Sequence, residues 1–268
     1  MPKASPESEG RIHLEREGPL ATVVLDHPER RNAISVRMWQ ELEAACQKLA
    51  ADPDVRCLVV RGAGEEAFVS GADISEFAEV RASASAERDY GATTGQAIVA
   101  LAGLEVPTIA LIHGFCIGGG VALALSCDLR YASEDAVFAI PAARLGLGYR
   151  LEGIQALLHL VGPSRAKEIF FTARRYDARE AREMGLVDGI FPKSELEGEV
   201  MSAARRIADN APLTIRAVKL AVREAYRESG QRDLETVREA VEACFESEDY
   251  GEGVRAFLEK RRPQFRGR

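Results

Sequence analysis

Short apolar runs alternate with segments that repeat apolar residues at helical spacing through the first two thirds of the sequence. Cys57–Val60 and Thr108–Ile112 are continuous apolar runs, which is typical of strands that are buried on both faces. Between such runs, Ser35 is a favourable helix N-cap, and Met38 and Leu42 follow it at the spacing of one helix face. This alternation predicts an α/β fold with mainly parallel strands, because parallel neighbours need a crossover connection that is usually a helix.

The two ends of the sequence depart from this pattern. Ile12–Glu17 and Leu20–Leu25 predict a β-hairpin after a polar start, whereas no strand pattern follows Phe191-Pro192 and the rest of the chain is helical in character. Residues 80–94 are small and polar without strong periodicity, so that a loop and short helices both stay open. We therefore predict a polar leader at 1–10, an α/β core at 11–195 and a helical C-terminal region at 196–268.

Composition limits the function classes. Hydrophobic residues make up 46% of the 268 residues, which is enough for one sizeable core. The formal net charge of −7 argues against nucleic acid and anionic membrane surfaces as partners. The polar N-terminus lacks a signal-peptide pattern, and no apolar run reaches the roughly 18 residues that a membrane span needs. We therefore expect a cytoplasmic protein.

The cysteines and histidines predict neither a disulfide framework nor a metal site. The five cysteines are odd in number and none is in C-x-x-C spacing, so we expect small buried hydrophobic residues in a reducing compartment. Histidines stand far apart in the sequence, at His13, His27, His113 and His159. Isolated histidines of this kind predict no metal ligand set.

Two glycine-containing segments directly follow predicted strands or their turns. They are Phe68–Ile74 and Gly114–Gly120, and the second is followed by a predicted helix. Consecutive glycines let the backbone approach a ligand closely, and the first turn of a helix has N–H groups without internal partners. Two such N–H groups that converge on one carbonyl oxygen form an oxyanion hole, in which each donor stabilises the developing charge by about 3 kcal/mol.

The glycine run alone also fits two other structures. Gly114, Gly118 and Gly120 have the spacing of a nucleotide-binding turn in a short-chain dehydrogenase, and the run could also be only a tight strand-to-helix turn. Against the dehydrogenase, this turn lies in the middle of the chain. None of the six tyrosines is followed by lysine four residues later, so the catalytic Tyr-x-x-x-Lys pair is missing.

Several segments taken together are far more specific. They are Leu25–Ala33, Phe68–Ile74, His113–Gly120, Phe138–Pro141, Leu145-Gly146, Gly185–Asp188, Ser247–Tyr250 and Ala256–Arg261. In this order they resemble the enoyl-CoA hydratase/isomerase (crotonase) superfamily. The resemblance extends over roughly residues 12–265 with its segments in the right order, which argues strongly against a chance match.

The resemblance implies a crotonase-like spiral of ββα turns and a C-terminal helical trimerisation region, which builds homotrimers or hexamers. It implies an acyl-CoA substrate whose enolate is stabilised by the N–H groups of Ala72 and Gly119. Coenzyme A is part of that substrate, and no separate cofactor is expected. The residues implied to contact coenzyme A are Arg30, Arg31, Asp73, Ile74, Phe257 and Lys260, the last two from the same or a neighbouring subunit.

The sequence departs from the family where its hydratases carry two catalytic glutamates. The first of these positions corresponds to Ala122 and the second to Ala142, and neither alanine can transfer a proton. Because a positioned acid or base contributes roughly 10²–10⁴-fold, hydration by the usual route should be severely weakened. Other members place an aspartate a few residues later, and that position is Arg150 here. Glu152 follows at the predicted start of a helix, where an acidic residue is common.

Tyr149 leads to an alternative function. The run Leu145–Gly153 resembles methylmalonyl-CoA decarboxylase, in which a tyrosine at this position lies at the reacting carboxylate, although that enzyme has a histidine where Ala72 stands. Decarboxylation needs no general base to start, and Tyr149 with Arg150 could orient the carboxylate. Three functions therefore remain open: acyl-CoA enolate chemistry by a lyase or isomerase, decarboxylation of a malonyl-type CoA, and non-catalytic binding of a CoA thioester.

Overall fold

A computed structural model describes residues 10–77 and 82–268 of the chain. Apart from Gly10, the predicted leader at 1–10 lies outside the described residues. The strands are β1 (Arg11–Glu17), β2 (Leu20–Asp26), β3 (Cys57–Gly62), β4 (Ala67–Val69), β5 (Thr108–Ile112), β6 (Phe115–Ile117), β7 (Leu129–Ser133), β8 (Val137–Ala139), β9 (Tyr176–Asp177) and β10 (Gly189–Phe191). The helices are α1 (Val36–Ala50), α2 (Ala84–Ala102), α3 (Gly119–Leu125), α4 (Ala142–Leu145), α5 (Leu151–Thr172), α6 (Ala178–Glu183), α7 (Leu196–Ala208), α8 (Pro212–Ala225), α9 (Leu234–Glu246) and α10 (Glu248–Leu258).

A repeating ββα unit builds two sheets. β3 and β4 precede α2, β5 and β6 precede α3, and β7 and β8 precede α4. The first strand of each unit joins a six-stranded sheet with the order β1-β2-β3-β5-β7-β10, and the second joins a four-stranded sheet with the order β4-β6-β8-β9. The chain therefore winds as the predicted crotonase-like spiral.

The pairing in the larger sheet agrees with the prediction of mainly parallel strands. β1 and β2 pair antiparallel across the predicted hairpin, whereas the β2–β3, β3–β5, β5–β7 and β7–β10 pairs are parallel. The short strands of the smaller sheet were not predicted. β4, β6 and β8 have three residues each, too few to display a period of two.

Both faces of the larger sheet are covered, which explains the continuous apolar runs. In β3, Leu58 and Val60 belong to the core on the α1 side, and Cys57 and Val59 pack with α7 on the other side. α7 contributes Leu196 and four further buried residues to this second cluster. The helix lies beyond the predicted boundary at residue 195, and yet it packs on the sheet of the core.

α2 is a single helix of 19 residues, where the sequence had left a loop and short helices open. Its N-cap is Ser83, whose side chain accepts a hydrogen bond from the N–H of Ala86. Residues 80 and 81 of the segment in question lie outside the described residues. Small residues such as Gly91 and Gly95, which line a cavity, weaken the helical pattern of this stretch.

The C-terminal helices pack mainly on one another. α8, α9 and α10 enclose an apolar groove of about 650 Å³, and the side chain of Phe265 from the chain end lies at its wall. Buried Asp249 accepts hydrogen bonds of 2.7 Å from the backbone N–H groups of Arg266 and of Gly267. The last residues are thereby held against α10. Over the described ranges, no helix has both the length and the apolar character needed to cross a membrane.

Candidate active site

A cavity of about 460 Å³ is lined by both glycine-containing segments and by α2 and α5. Its wall includes Ser70, Gly71 and Ala72 after β4, Gly119 and Ala122 of α3, Ile140, Pro141 and Ala142 after β8, Glu87, Tyr90, Gly91 and Thr94 of α2, and Tyr149, Arg150 and Glu152 at the start of α5. The segments singled out by their glycines are therefore brought to one site, although they lie far apart in the sequence.

In the first segment, the N–H group of Ala72 does not bond to Ile34, the residue with which Ala72 pairs. The Ile34 N–H donates to the Gly71 carbonyl at 2.9 Å, and the Asp73 N–H donates to the Ile34 carbonyl at 3.0 Å. Ala72 stands between these two bonds in a parallel bridge with Ile34. Its own N–H group donates to no acceptor in the described part of the chain.

The second segment places a helix N-terminus at the same point. Gly118, with φ 52° and ψ −107°, is the N-cap of α3, and its N–H donates to the Ala139 carbonyl at 2.8 Å. Gly119 is the first residue of the helix, and within residues 10–77 and 82–268 its N–H has no acceptor. A Cβ built on Gly119 would lie 3.8 Å from the Ala72 nitrogen, which shows how closely the two residues approach.

The loop that carries Ala72 is fixed by its neighbour Asp73. The Asp73 carboxylate accepts hydrogen bonds from the N–H of Ser75 at 3.0 Å, from the Ser75 hydroxyl at 2.7 Å and from the Arg30 guanidinium at 2.9 Å. Burial opposes ionisation of this carboxyl, but the Ser75 hydrogen bonds and the Arg30 charge outweigh burial and lower its pKa. Asp73 is therefore an ionised anchor beside the site.

Ala122 and Ala142, the two positions at which the resemblance implies glutamates, both line the cavity. Ala122 follows Gly119 by one helical turn, and Ala142 begins α4. Their methyl groups offer neither a proton donor nor an acceptor. Among the described residues, the carboxylates that line the cavity are those of Glu87 and Glu152, on the wall formed by α2 and α5.

Tyr149 and Arg150, which were also predicted from the sequence as site residues, line the cavity. The Tyr149 ring packs edge-on against Phe170 with a centroid distance of 4.7 Å. The Arg150 guanidinium reaches α2, where its Nη2 donates to the carbonyls of Glu87 at 3.3 Å and Arg88 at 3.5 Å. This arginine stands where the resemblance implies an aspartate in other members of the family.

The residues predicted to contact coenzyme A lie in three places. Ile74 lines the cavity with 64% of its surface exposed. The Arg31 side chain pairs with Glu66 at 2.6 Å and lies over the Phe115 ring, away from the lining of the cavity. Phe257, 84% exposed, lines the C-terminal groove instead, and Lys260 follows it in a left-handed conformation. Within one copy of the chain, Phe257 is therefore not brought to the cavity.

Sequence reasoning missed the wall formed by α2 and one aromatic side chain. Glu87, Tyr90 and Thr94 recur at the spacing of one helix face, and this weak period was the available signal. Trp39 was not singled out either. Its ring is buried, lines the cavity and comes within 3.6 Å of the Cβ built on Gly119. A tryptophan inside an amphipathic helix carries no mark of a site in the sequence.

Two known proteins are similar to this chain over most of its length. The short-chain-enoyl-CoA hydratase of Clostridium acetobutylicum is 36% identical over 251 residues, which are 94% of this chain and 95% of that protein. The peroxisomal Delta(3,5)-Delta(2,4)-dienoyl-CoA isomerase of Arabidopsis thaliana is 35% identical, over 91% of each chain. Both relatives are therefore similar to this chain from end to end.

Solved structures are similar to the same extent. An enoyl-CoA hydratase/carnithine racemase from Magnetospirillum magneticum superposes with a TM-score of 0.92 at 33% identity over 96% of both chains. The enoyl-CoA hydratase from Bacillus anthracis gives 0.90 at 30% identity, over 96% of this chain and 100% of that one. The sequence profile described as Enoyl-CoA hydratase/isomerase matches residues 15–268. The chain therefore belongs to the enoyl-CoA hydratase/isomerase family.

Proposed function

We propose that this chain is an enzyme that binds an acyl-CoA thioester in the cavity and stabilises its enolate with the backbone N–H groups of Ala72 and Gly119. One observation carries the proposal: in the described residues both N–H groups lack an acceptor, and the two residues approach each other at the same cavity. A thioester oxygen held between them would gain negative charge as the enolate forms. Each donor would then lower the barrier by about 3 kcal/mol.

The reaction that we propose is a lyase or isomerase reaction that does not use the two-glutamate route of hydration. Ala122 and Ala142 support this proposal, because both residues line the cavity and neither side chain can act as an acid or a base. Proton transfer then falls to other groups at the wall. Glu87 and Glu152 are the carboxylates that the described part of the wall offers. The relatives named above are hydratases and isomerases, so neither decarboxylation nor a purely binding role is favoured.

Coenzyme A is proposed to run past Ile74 along the loop anchored by Asp73 and Arg30. The exposure of Ile74 at the cavity supports this course. Phe257 and Lys260 would reach coenzyme A from a neighbouring subunit of a homotrimer or hexamer, since Phe257 lines a different groove in its own chain. The reaction needs no resident cofactor in this scheme, because coenzyme A belongs to the substrate.

The test combines product analysis with two substitutions at one position. Crotonyl-, 3-enoyl-, 3-hydroxyacyl- and methylmalonyl-CoA would be incubated with the protein and each product followed by mass spectrometry. Gly119→Pro removes the N–H at the first residue of a helix, where proline fits the backbone. Gly119→Ala keeps the N–H, and its Cβ meets Trp39, Ile34 and the Ala72 nitrogen at ordinary contact distances.

We expect turnover of a 2-enoyl- or 3-enoyl-CoA that Gly119→Pro lowers by about 10²–10³-fold and that Gly119→Ala lowers far less. Equal effects of the two substitutions would contradict the role of the N–H group. Failure of all four thioesters to bind would overturn the proposed function itself. Fast hydration of crotonyl-CoA would contradict the proposal that the two alanines exclude this route.

A further inference from the structure

Arg150 is an exposed cation that lines the cavity. It forms no ion pair with any carboxylate in the part of the chain that the structure describes. Its hydrogen bonds run from Nη2 alone, to the backbone carbonyls of Glu87 and Arg88 at 3.3 and 3.5 Å. A guanidinium has five N–H donors in a planar fork, so most of them stay available for a ligand.

The helix opposite Arg150 leaves space for this guanidinium. A Cβ built on Gly91 of α2 would overlap the Nη2 and Cζ atoms of Arg150 and would lie 2.9 Å from its Nη1. Any side chain at residue 91 would therefore displace the guanidinium. Gly91 is not in a left-handed conformation, so its backbone does not call for glycine, and the effect of a Cβ there would be to push the end of the flexible Arg150 side chain aside.

The negative charges at the same wall do not pair with Arg150. Glu87 lies in the first turn of α2 and Glu152 in the first turn of α5, where the N–H groups of a helix start stabilise an acidic side chain. Neither forms an ion pair with Arg150. Arg150 is solvent-exposed at a cavity whose lining also includes the apolar residues Ile98, Leu145 and Leu147. The ligand group that matches a planar fork with two parallel N–H donors is a carboxylate.

We propose that Arg150, held beside Gly91, recognises a carboxylate at the end of the acyl group, so that the substrate is the CoA monothioester of a dicarboxylic acid. This inference rests on the proposed function, because it takes the cavity to hold the acyl part of a thioester. An anionic phosphate of coenzyme A is the other possible source of the same chemistry. The acyl carboxylate is favoured because Arg150 lines the same cavity as Ala72 and Gly119, whereas Asp73 and Arg30, which anchor the loop assigned to coenzyme A, do not line it.

Binding of matched thioesters tests this assignment. Succinyl-, glutaryl- and adipoyl-CoA would be compared by calorimetry with butyryl-, pentanoyl- and hexanoyl-CoA, which have the same numbers of acyl carbons and a methyl group in place of the carboxylate. We expect at least one carboxylated thioester to bind 10- to 100-fold more tightly than its partner. Arg150→Gln should remove this preference, and Gly91→Ala should weaken it by displacing the guanidinium. Arg88→Gln is the control, since that exposed arginine does not line the cavity.

Free coenzyme A and thermal melting separate the remaining explanations. A preference that is absent in the unmodified protein would overturn the inference. If Arg150→Gln weakened all thioesters and free coenzyme A alike, the arginine would contact a phosphate. If it lowered the melting temperature and weakened both thioester series equally, it would only brace α5 against α2. Absence of binding by every thioester, with free coenzyme A also unbound, would instead overturn the proposed function and this inference with it.

Discussion

Arg30 donates a hydrogen bond of 2.9 Å to the Asp73 carboxylate and so ties the loop after β2 to the loop that presents the Ala72 N–H. The Asp73 side chain is 9% exposed and the Arg30 side chain is 47% exposed, so the acid of this ion pair is buried and the base is half-exposed. The position of the Ala72 N–H, one of the two proposed oxyanion-hole donors, therefore depends on the ionisation of the neighbouring Asp73.

Asp73→Asn should destabilise the protein by about 1–3 kcal/mol, because it removes charged hydrogen bonds to a buried group. The lowered pKa of Asp73 means that its stabilisation is fully present above the pKa of an unfolded aspartate, about 3.9, and is lost as pH falls through the folded value. Melting temperatures measured from pH 8 to pH 3 should therefore differ most above about pH 5. Exposed Asp54→Asn is the control, and a difference that grew towards low pH would contradict the assignment.

Gly120→Ala should destabilise the fold, because a Cβ there would overlap the Val69 carbonyl oxygen and lie 2.9 Å from the Val69 Cβ. Backbone atoms cannot yield as a flexible side chain can, and forced overpacking typically costs about 1–3 kcal/mol. The first turn of α3 would shift and carry the Gly119 N–H away from Ala72. We expect a lower melting temperature and lower activity than in Gly119→Ala, whose Cβ has room. Equal stability of the two variants would contradict the close approach of α3 to β4.

Ala122→Glu combined with Ala142→Glu should create hydration activity toward crotonyl-CoA. Both positions line the cavity, so each carboxyl group can reach the bound thioester. A positioned acid or base is worth roughly 10²–10⁴-fold, and we expect an increase in this range in the rate of 3-hydroxybutyryl-CoA formation. Ala156→Glu, which adds a carboxylate elsewhere at the wall, is the matched control. An equal gain in the control would show that charge rather than position produces the activity.

Asp249→Ala should free the last residues of the chain from α10. The substitution leaves the N–H groups of Arg266 and Gly267 without their acceptor, and we expect a loss of about 1–3 kcal/mol of stability. Phe265 would then leave the C-terminal groove, and a protease should cleave the chain end faster, as mass spectrometry can follow. Glu246→Ala on the exposed side of α9 should change neither readout. Unaltered cleavage of the Asp249 variant would contradict this prediction.

The cysteines should be almost unreactive in the folded protein. Burial, with a smaller contribution from neighbouring charges, raises the pKa of the Cys46 and Cys57 thiols to about 12. Burial also raises the pKa of Cys127 to about 12 and raises the pKa of Cys116. Cys244 is only half-buried. A colorimetric thiol reagent at pH 8 should therefore modify at most one thiol per chain rapidly, and all five after unfolding. Rapid modification of two or more would contradict the burial of this set.

Several features of the fold could be predicted from the sequence because they are local. The hairpin, the buried run of β3 and the N-cap at Ser35 are encoded in a few consecutive residues, and the structure confirms each of them. The spiral fold was predicted from the resemblance to the family, to which the two glycine segments contribute. That Ala122 and Ala142 stand at the glutamate positions of the family's hydratases stays a prediction from the resemblance. Both positions do line the cavity.

The sequence by itself thus determined the spiral, the family and the two backbone segments of the proposed oxyanion hole. Only the tertiary structure decided which side chains meet across the cavity. The three-residue strands of the smaller sheet carry no period of their own, and the place of α2 at the wall depends on how that helix packs. The contact between Gly91 and Arg150 joins two helices that no local pattern relates. Hydrophobic period and backbone conformation are properties of neighbouring residues, whereas the pairing of distant side chains is fixed only when the core packs.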